Sequence, residues 1–452
     1  MIRVTLDRLA WARAVDLGST GIERLKEDLT LVVENPYAKG VPPEVSTHYE
    51  RNTLGGDVWF GMPREYFFKT FTRFEVFDCT QYSHLKGPWT RPPKFEGLLR
   101  PGQQVADEAV IKAYREGQTG GWIKATCGAG KTITALHLIA RMKTPTIVLV
   151  HKCDLMDQWE REINRFMPEA RVVKVRANEP CVKDAHIVIA TFQTLYSRLE
   201  SFRASGFFDH FGFLVSDESH RVPSQTFSKV ANSFSARYKL GLTATPDRRD
   251  GLKCLLDWSI GPQLVTMRGQ VVKGSYYVME WEAKKTPPKI RGGGLNTSKL
   301  ITMIAEDEDR NKMIANVCMR AIKAGRKTLV LTDRVKQLDS LEGLLSSSGS
   351  KIVKYRSTDD MESATADECR VVLATYGMFG EGTDIPSLDT LVLATPRSRV
   401  AQMVGRIQRP TKEKKPPMVV DVVDRAIPYA NGLFGAREKV YTKLDFTRER
   451  KK

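Results

Sequence analysis

The sequence predicts an α/β fold in which two tandem parallel-sheet domains follow a small α+β domain. Three observations predict it. Ala125-Thr126-Cys127-Gly128-Ala129-Gly130-Lys131-Thr132 is a small-residue loop between a strand-like run, Gly121 to Lys124, and a run with an apolar helical face, Ile133 to Ala140. Strand-like and helix-like segments then alternate from about residue 120 to 265, the pattern of a parallel sheet. A second alternation occupies about 299 to 430 and has no such loop of its own. At 452 residues the chain is long enough for two or three domains, each with its own core.

Composition narrows the class. No apolar run approaches the roughly 18 residues that span a bilayer, and Met1 to Asp7 lacks a signal-peptide core, so a soluble, cytoplasmic protein without a membrane partner is expected. The seven cysteines stand apart at 79, 127, 153, 181, 254, 318 and 369, with no C-x-x-C pair, so neither disulfides nor zinc are expected. Lys and Arg number 70 against 53 Asp and Glu, a net charge of +17. The pI near 9.5 suits a polyanion partner. Residues 1–95 hold thirteen basic and twelve acidic residues, so nearly all of the excess lies beyond them.

From Tyr49 onward the N-terminal domain interleaves aromatic and basic residues: Arg51, Trp59, Phe60, Arg64, Tyr66, Phe67, Phe68, Lys69, Phe71, Arg73, Phe74 and Phe77. Strands at Asp57 to Phe60 and Phe71 to Phe77, turned at Gly55-Gly56 and Met62-Pro63, would bury alternate rings in a small core. Other rings could stack on bases. Ile22, Leu25, Leu29 and Val33 stand at helical spacing, predicting a helix over 22–33. Lys86 to Pro93 reads as a proline-rich linker.

Arg100-Pro101-Gly102-Gln103 precedes a predicted helix from Val105 to Glu116, and its Gln103 amide suits the adenine edge. In the loop that follows, the backbone N–H groups of Thr126 to Gly130 and a helix N-terminus suit phosphates; Lys131 reaches the outer phosphates and Thr132 can hold Mg²⁺. Strands are predicted at Pro145 to Val150 and Ala185 to Ala190, with a helix from Asp154 to Phe166. The apolar run Phe211 to Val215 leads into Ser216-Asp217-Glu218-Ser219-His220. Acidic residues at the C-terminal end of a buried strand belong beside the phosphate loop: Asp217 for Mg²⁺, Glu218 to orient and deprotonate a water. His220 reads as a relay rather than a metal ligand. Leu240 to Pro246 is a further strand end, followed by Asp247-Arg248-Arg249-Asp250-Gly251.

Around Lys284 to Gly294 the chain is basic and rich in Gly and Pro. The second series comprises helix 309–324, strand 327–331, helix 335–347, strands 351–355 and 370–375, Gly380 to Pro386, and strand 390–394. In Ala401 to Arg409, a helix would place Gln402, Arg406 and Arg409 on one face at i, i+4 and i+7. Two arginines so placed suit the γ-phosphate of a bound nucleotide, a contribution of about 10³–10⁵ in rate. No motif follows Ala436, and the basic end is expected to fray.

In this order the motifs resemble those of superfamily 2 helicases and translocases, over about residues 98–425. The segment Thr243-Ala244-Thr245-Pro246-Asp247-Arg248-Arg249-Asp250 is similar to the XPB-type pattern, with Arg249 where that family has Glu. The layout, with Gly55-Gly56-Asp57-Val58-Trp59-Phe60-Gly61 in a small N-terminal domain, resembles phage branch-migration helicases of the UvsW kind. The resemblance implies two RecA-like domains, ATP with Mg²⁺, and DNA, duplex or branched, as partner. It further implies fork regression and Holliday-junction branch migration in replication, recombination and repair, in the host cytoplasm if the chain is phage-encoded. His151, Lys152, Thr191, Arg248 and Thr375 would hold DNA, with Gly382 and Asp384 coupling nucleotide to polymer. The expected divisions are 1–95, an accessory DNA-binding domain; 96–282 and 299–430, the two motor domains around a loop at 283–298; and 431–452, a basic tail. An RNA helicase, or the motor subunit of a nuclease or restriction complex, remain the alternatives.

Overall fold

The computed structural model describes residues 2–33, 44–78, 91–126, 128–176, 182–218, 224–244, 254–269, 272–282, 286–290, 294–355, 369–379, 385, 387–409, 411 and 414–449. The chain forms two compact units, Met1–Arg268 and Gly269–Lys452.

The first unit begins with β1 (Ile2–Leu6), β2 (Ala10–Arg13), α1 (Ala14–Asp28), β3 (Thr30–Val33), β4 (Glu44–Thr47), β5 (Glu50–Leu54), β6 (Asp57–Met62), α2 (Arg64–Thr70) and β7 (Phe74–Asp78). Five of these strands form a mixed sheet in the order β5-β6-β2-β1-β7, in which only β1 and β7 run parallel. Gly55 and Gly56, with φ of +60° and +85°, make the hairpin turn before β6. Val4, Leu6, Ala12, Phe60 and Met62 share the inner face with Leu17, Leu25 and Leu29 of the α1 side. The helix expected over 22–33 starts earlier and stops at Asp28, because Thr30-Leu31-Val32-Val33 pairs with β4 as a strand. β-branched residues fit a pleated surface better than a helix. The expected strand 71–77 begins only at Phe74, and much of the aromatic run lies on α2. There Phe67 is the hub of a ring cluster, 5.8, 5.2 and 5.1 Å from Phe68, Phe71 and Phe74.

Helix α2 also fastens this sheet to the next domain. Arg64 Nη2 donates to the Ala236 carbonyl at 2.7 Å, Thr119 Oγ1 donates to Glu65 at 2.6 Å, and Tyr66 meets Trp258 edge-on at 5.6 Å. Continuing the unit are α3 (Pro101–Arg115), β8 (Gly120–Ala125), α4 (Lys131–Met142), β9 (Thr146–Val150), α5 (Cys153–Phe166), β10 (Val172–Val175), β11 (Ile187–Thr191), α6 (Phe192–Ser197), α7 (Leu199–Ala204), β12 (Phe213–Asp217), α8 (Ser224–Ala231), β13 (Tyr238–Thr243), α9 (Cys254–Ser259) and β14 (Gln263–Met267). These seven strands form a sheet in the order β10-β11-β9-β12-β13-β8-β14, parallel throughout. Strands β9, β11 and β12 are buried along their whole length, with an apolar cluster on each face of the sheet. That explains their near-continuous apolar runs.

The second unit contains β15 (Gly274–Trp281), α10 (Thr297–Ala305), α11 (Glu308–Lys323), β16 (Thr328–Thr332), α12 (Val335–Leu345), β17 (Ile352–Tyr355), β18 (Val371–Thr375), α13 (Tyr376–Phe379), β19 (Thr390–Leu393), α14 (Ala401–Ile407), β20 (Met418–Asp424), α15 (Pro428–Lys443) and β21 (Phe446–Glu449). Its sheet, also parallel throughout, runs β17-β18-β16-β19-β20-β15-β21. The two sheets, each layered with helices, are two tandem RecA-like domains. Two expected boundaries shift. Strand β15, expected at the end of the first motor domain, pairs with β20 and β21 of the second. Residues 431–449, expected as a tail, supply most of α15 and the whole of β21. Tyr276, Tyr441 and Phe446 bind these pieces into one core.

A buried ion pair backs that core. Arg437 Nε and Nη2 donate to Asp421 at 2.8 and 2.9 Å, and Tyr441 Oη donates to the same carboxylate at 2.7 Å. The Arg437 and Asp421 side chains are 1% and 0% exposed. Truncating one partner strands the other charge in the interior. Asp421→Ala is expected to lower the unfolding free energy of this unit by about 3–5 kcal/mol, read as earlier loss of hydrogen-exchange protection in β15, β20 and β21.

Candidate nucleotide-binding site

Because the first motor sheet is parallel, all its strands end on one edge, where ligands of such sheets bind. Strand β8 delivers the phosphate loop and β12 delivers Asp217, with β13 between them. Ala125, where the consensus opens with Gly, is fully buried as the last residue of β8. Thr126 N–H donates to Met267 O of β14 at 3.2 Å and anchors the base of the loop. Gly128 and Gly130 have φ of +79° and +86°, where a side chain is costly. Gly130 precedes α4, and a Cβ there would stand 2.4 Å from Gln103 Nε2.

Gln103 is 4% exposed and braces the loop. Its Oε1 accepts from Arg100 N–H at 2.8 Å and its Nε2 donates to Gly130 O at 3.1 Å. The amide expected to read adenine is thus committed here to backbone, because those buried polar groups need partners. Arg100 caps α3 through the same arrangement. One turn later Asp107, buried, lies 2.7 Å from His137 Nδ1 and pairs with Arg141, so α3 is held against α4. That clamp carried no signal in the sequence.

Lys131 opens α4 and forms an ion pair with Glu218, each side chain about one-seventh exposed. Glu218 holds a left-handed φ of +50°, and its N–H donates to Leu242 O of β13 at 2.9 Å. Such backbone is uncommon for non-glycine residues and recurs at helix C-termini, as at Lys143, and at functional sites. Asp217 is buried; Trp159 Nε1 donates to its Oδ2 at 3.0 Å, and its Oδ1 accepts no hydrogen bond among the described residues. Burial pushes the Asp217 carboxyl above its usual range, against the opposing pull of Lys131. Thr132 is half-buried in the first turn of α4. A buried carboxylate oxygen in want of a partner, with a hydroxyl on the neighbouring element, is a hard-oxygen set that fits Mg²⁺.

The remaining expected residues fare unevenly. His151 and Lys152 follow β9, and Lys152 precedes α5. Thr191 is 3% exposed, and its hydroxyl accepts from Thr194 N–H at 3.1 Å, capping α6. It is therefore a helix cap rather than an outward phosphate contact, since β11 is buried to its last residue. Thr375 Oγ1 similarly accepts from Met378 N–H at 3.3 Å. Cys127, His220, Arg248, Gly382 and Asp384 lie outside the described residues.

In the second unit Gln402 and Arg406 lie on α14, but that helix ends at Ile407 and Arg409 falls in the turn beyond, its N–H donating to Arg406 O at 3.3 Å. Two features stop the helix. Gln408 turns its amide to Leu444 O and Val272 O, at 2.6 and 3.3 Å, and Pro410 has no N–H to extend it. Arg406 Nη1 donates to Phe379 O at 2.6 Å with its guanidinium over the Phe379 ring.

Gly130→Ala tests the loop geometry. Both the backbone and the Gln103 contact resist a methyl group, so the variant is expected to lose about 1–2 kcal/mol of stability. Nucleotide affinity should fall by about tenfold or more, one factor of ten per 1.4 kcal/mol, as measured by equilibrium dialysis beside a thermal melt.

Residues 96–248 match the family described as type III restriction enzyme, res subunit. A protein of Acanthamoeba polyphaga mimivirus, provisionally named an ATP-dependent RNA helicase, is 29% identical over 424 residues, covering 89% of this chain and 78% of the relative. The DNA 3'-5' translocase XPB2 of Sulfurisphaera tokodaii is 24% identical over 380 residues, 72% of this chain and 84% of the relative. Among solved structures, the type ISP restriction-modification enzyme LlaBIII bound to DNA shares the fold, with a TM-score of 0.56 and 14% identity over 78% of this chain and 30% of that one. The matched family, the two relatives and the ordered motifs fit a superfamily 2 helicase and support a helicase-type ATPase core.

Proposed function

We propose that the chain hydrolyses ATP to move along DNA and remodels branched DNA, regressing forks and migrating four-way junctions in replication, recombination and repair. The observation that carries this reading is the meeting of Lys131, Asp217 and Glu218 at the edge of the first motor sheet. The DNA 3'-5' translocase among the relatives supports DNA as the track, and the basic excess beyond residue 95 supports a polyanion. A mixed sheet fastened by α2 to the motor gives a second surface that moves with it.

In this proposal an arriving nucleotide draws Lys131 from Glu218 to its outer phosphates. Glu218 is then available to accept the proton of the attacking water. Thr132 and Asp217 would hold Mg²⁺, which when bound neutralises phosphate charge. The loop N–H groups of Gly128 and Gly130 would cradle the inner phosphates, those of Thr126 and Ala129 being bonded to Met267 O and Thr126 O. Gln402, Arg406 and Arg409 stabilise charge developing on the outer phosphate, Arg406 by exchanging Phe379 O for it. His151, Lys152, Arg248 and Thr375 grip the polymer backbone, and Gly382 with Asp384 transmits nucleotide state. Such contacts are sequence-independent and salt-sensitive.

ATPase rates with single-stranded DNA, duplex, a fork, a four-way junction and structured RNA test this, with Glu218→Gln as the inactive control. Greatest stimulation by forked or four-way DNA, with the branch point moving, is the expected result. Stimulation by RNA alone would establish the second reading, an RNA helicase, which the name of the mimivirus relative favours. For the arginines, Arg409→Ala is expected to lower kcat by about 10³-fold or more while leaving nucleotide affinity in place, as single-turnover kinetics and binding would separate.

A further inference from the structure

Trp159 is 1% exposed, on the face of α5 that also buries Met156 and Ile163. An indole N–H taken into an apolar core needs an acceptor. Here it selects the Asp217 carboxylate, 58 positions away in sequence, at 3.0 Å. That donor engages Oδ2 alone; Oδ1 of the same carboxylate is buried and accepts no hydrogen bond among the described residues. A donor fixed on one oxygen sets the rotation of the carboxylate, and so the direction in which the other oxygen points. The indole ring is buried in the close-packed apolar cluster that also holds Met156, Ile163, Val148 and Val150, and so has little freedom to follow a carboxylate that turns.

We propose that Trp159 is the positioning residue of Asp217, orienting Oδ1 toward the metal of a bound Mg²⁺–nucleotide; the inference rests on reading this edge as the nucleotide site. Groups of this kind behind a metal ligand are worth about 10–100-fold in metal affinity or activity when removed. A tryptophan placed only for packing would affect stability and leave metal dependence alone.

The test is equilibrium binding of a fluorescent ATP analogue to the full chain, with and without Mg²⁺, and with Mg²⁺ titrated at fixed nucleotide. Two variants remove the N–H: Trp159→Phe, and replacement of Trp159 by benzothienylalanine, which keeps the bicyclic shape with sulfur in place of N–H. Met156→Ala disturbs the same helix face and keeps the hydrogen bond. In both N–H-deficient proteins, the Mg²⁺ concentration for half-maximal binding should rise about 10–100-fold, with metal-free nucleotide affinity unchanged; Met156→Ala should match wild type in both. An unchanged Mg²⁺ requirement in the folded benzothienyl protein overturns the proposal. So does an equal loss of metal-free and metal-loaded binding. Absence of any Mg²⁺-dependent binding by the wild type overturns the nucleotide-site reading itself, and the two failures are thereby distinguished.

Discussion

The ion pair between Lys131 and Glu218 is the contact on which the site depends. It forms because β8, β13 and β12 lie side by side and parallel, so that residues 87 positions apart reach the same edge. Each partner arrives by a constrained route. Lys131 needs the left-handed Gly130 before it, a glycine that Gln103 also crowds; Glu218 itself adopts a left-handed backbone, tied by its N–H to β13. Changing the strand order would leave the motifs intact and the chemistry dispersed.

The pair also describes a resting electrostatic arrangement. Lys131 satisfies Glu218, the Gln103 amide satisfies the loop backbone, and Arg406 satisfies the Phe379 carbonyl. In each unit these charged and polar groups find protein partners, since partly buried polar groups left unsatisfied are costly. A nucleotide bound as proposed would have to offer Lys131 a better partner than Glu218. Asp217 Oδ1 and Glu218 Oε2 are both buried and accept no hydrogen bond among the described residues, so the carboxylate pair is where the resting arrangement is incomplete.

Elsewhere the units use the same rule structurally. Arg310 meets Asp424 inside the second unit, and Arg437 meets Asp421. In the first unit Arg64 and Glu65, adjacent on α2, join the N-terminal sheet to the ends of β8 and β13 opposite the phosphate loop. The aromatic run that could have served as a base-stacking surface is largely spent on packing: Phe60, Tyr66 and Phe67 are buried in the core of the N-terminal sheet, and Trp258 of the next domain meets Tyr66 edge-on.

The sequence by itself determined the α/β class, the phosphate loop, the Asp217-Glu218 pair and the buried strands, because these follow from local spacing. Apolar runs of four to eight residues and glycine-rich turns leave a periodic trace. What only the tertiary structure decided are the pairings between distant residues. Trp159 on Asp217, Gln103 on Gly130, Asp107 on His137, and β15 with β21 in the second sheet join positions 27 to 172 apart. The helix carrying Arg406 ends before Arg409 for the same reason, since Gln408 is drawn to carbonyls at Val272 and Leu444. Such contacts are settled by which elements the sheet order brings together, and local chain propensity holds no record of that order.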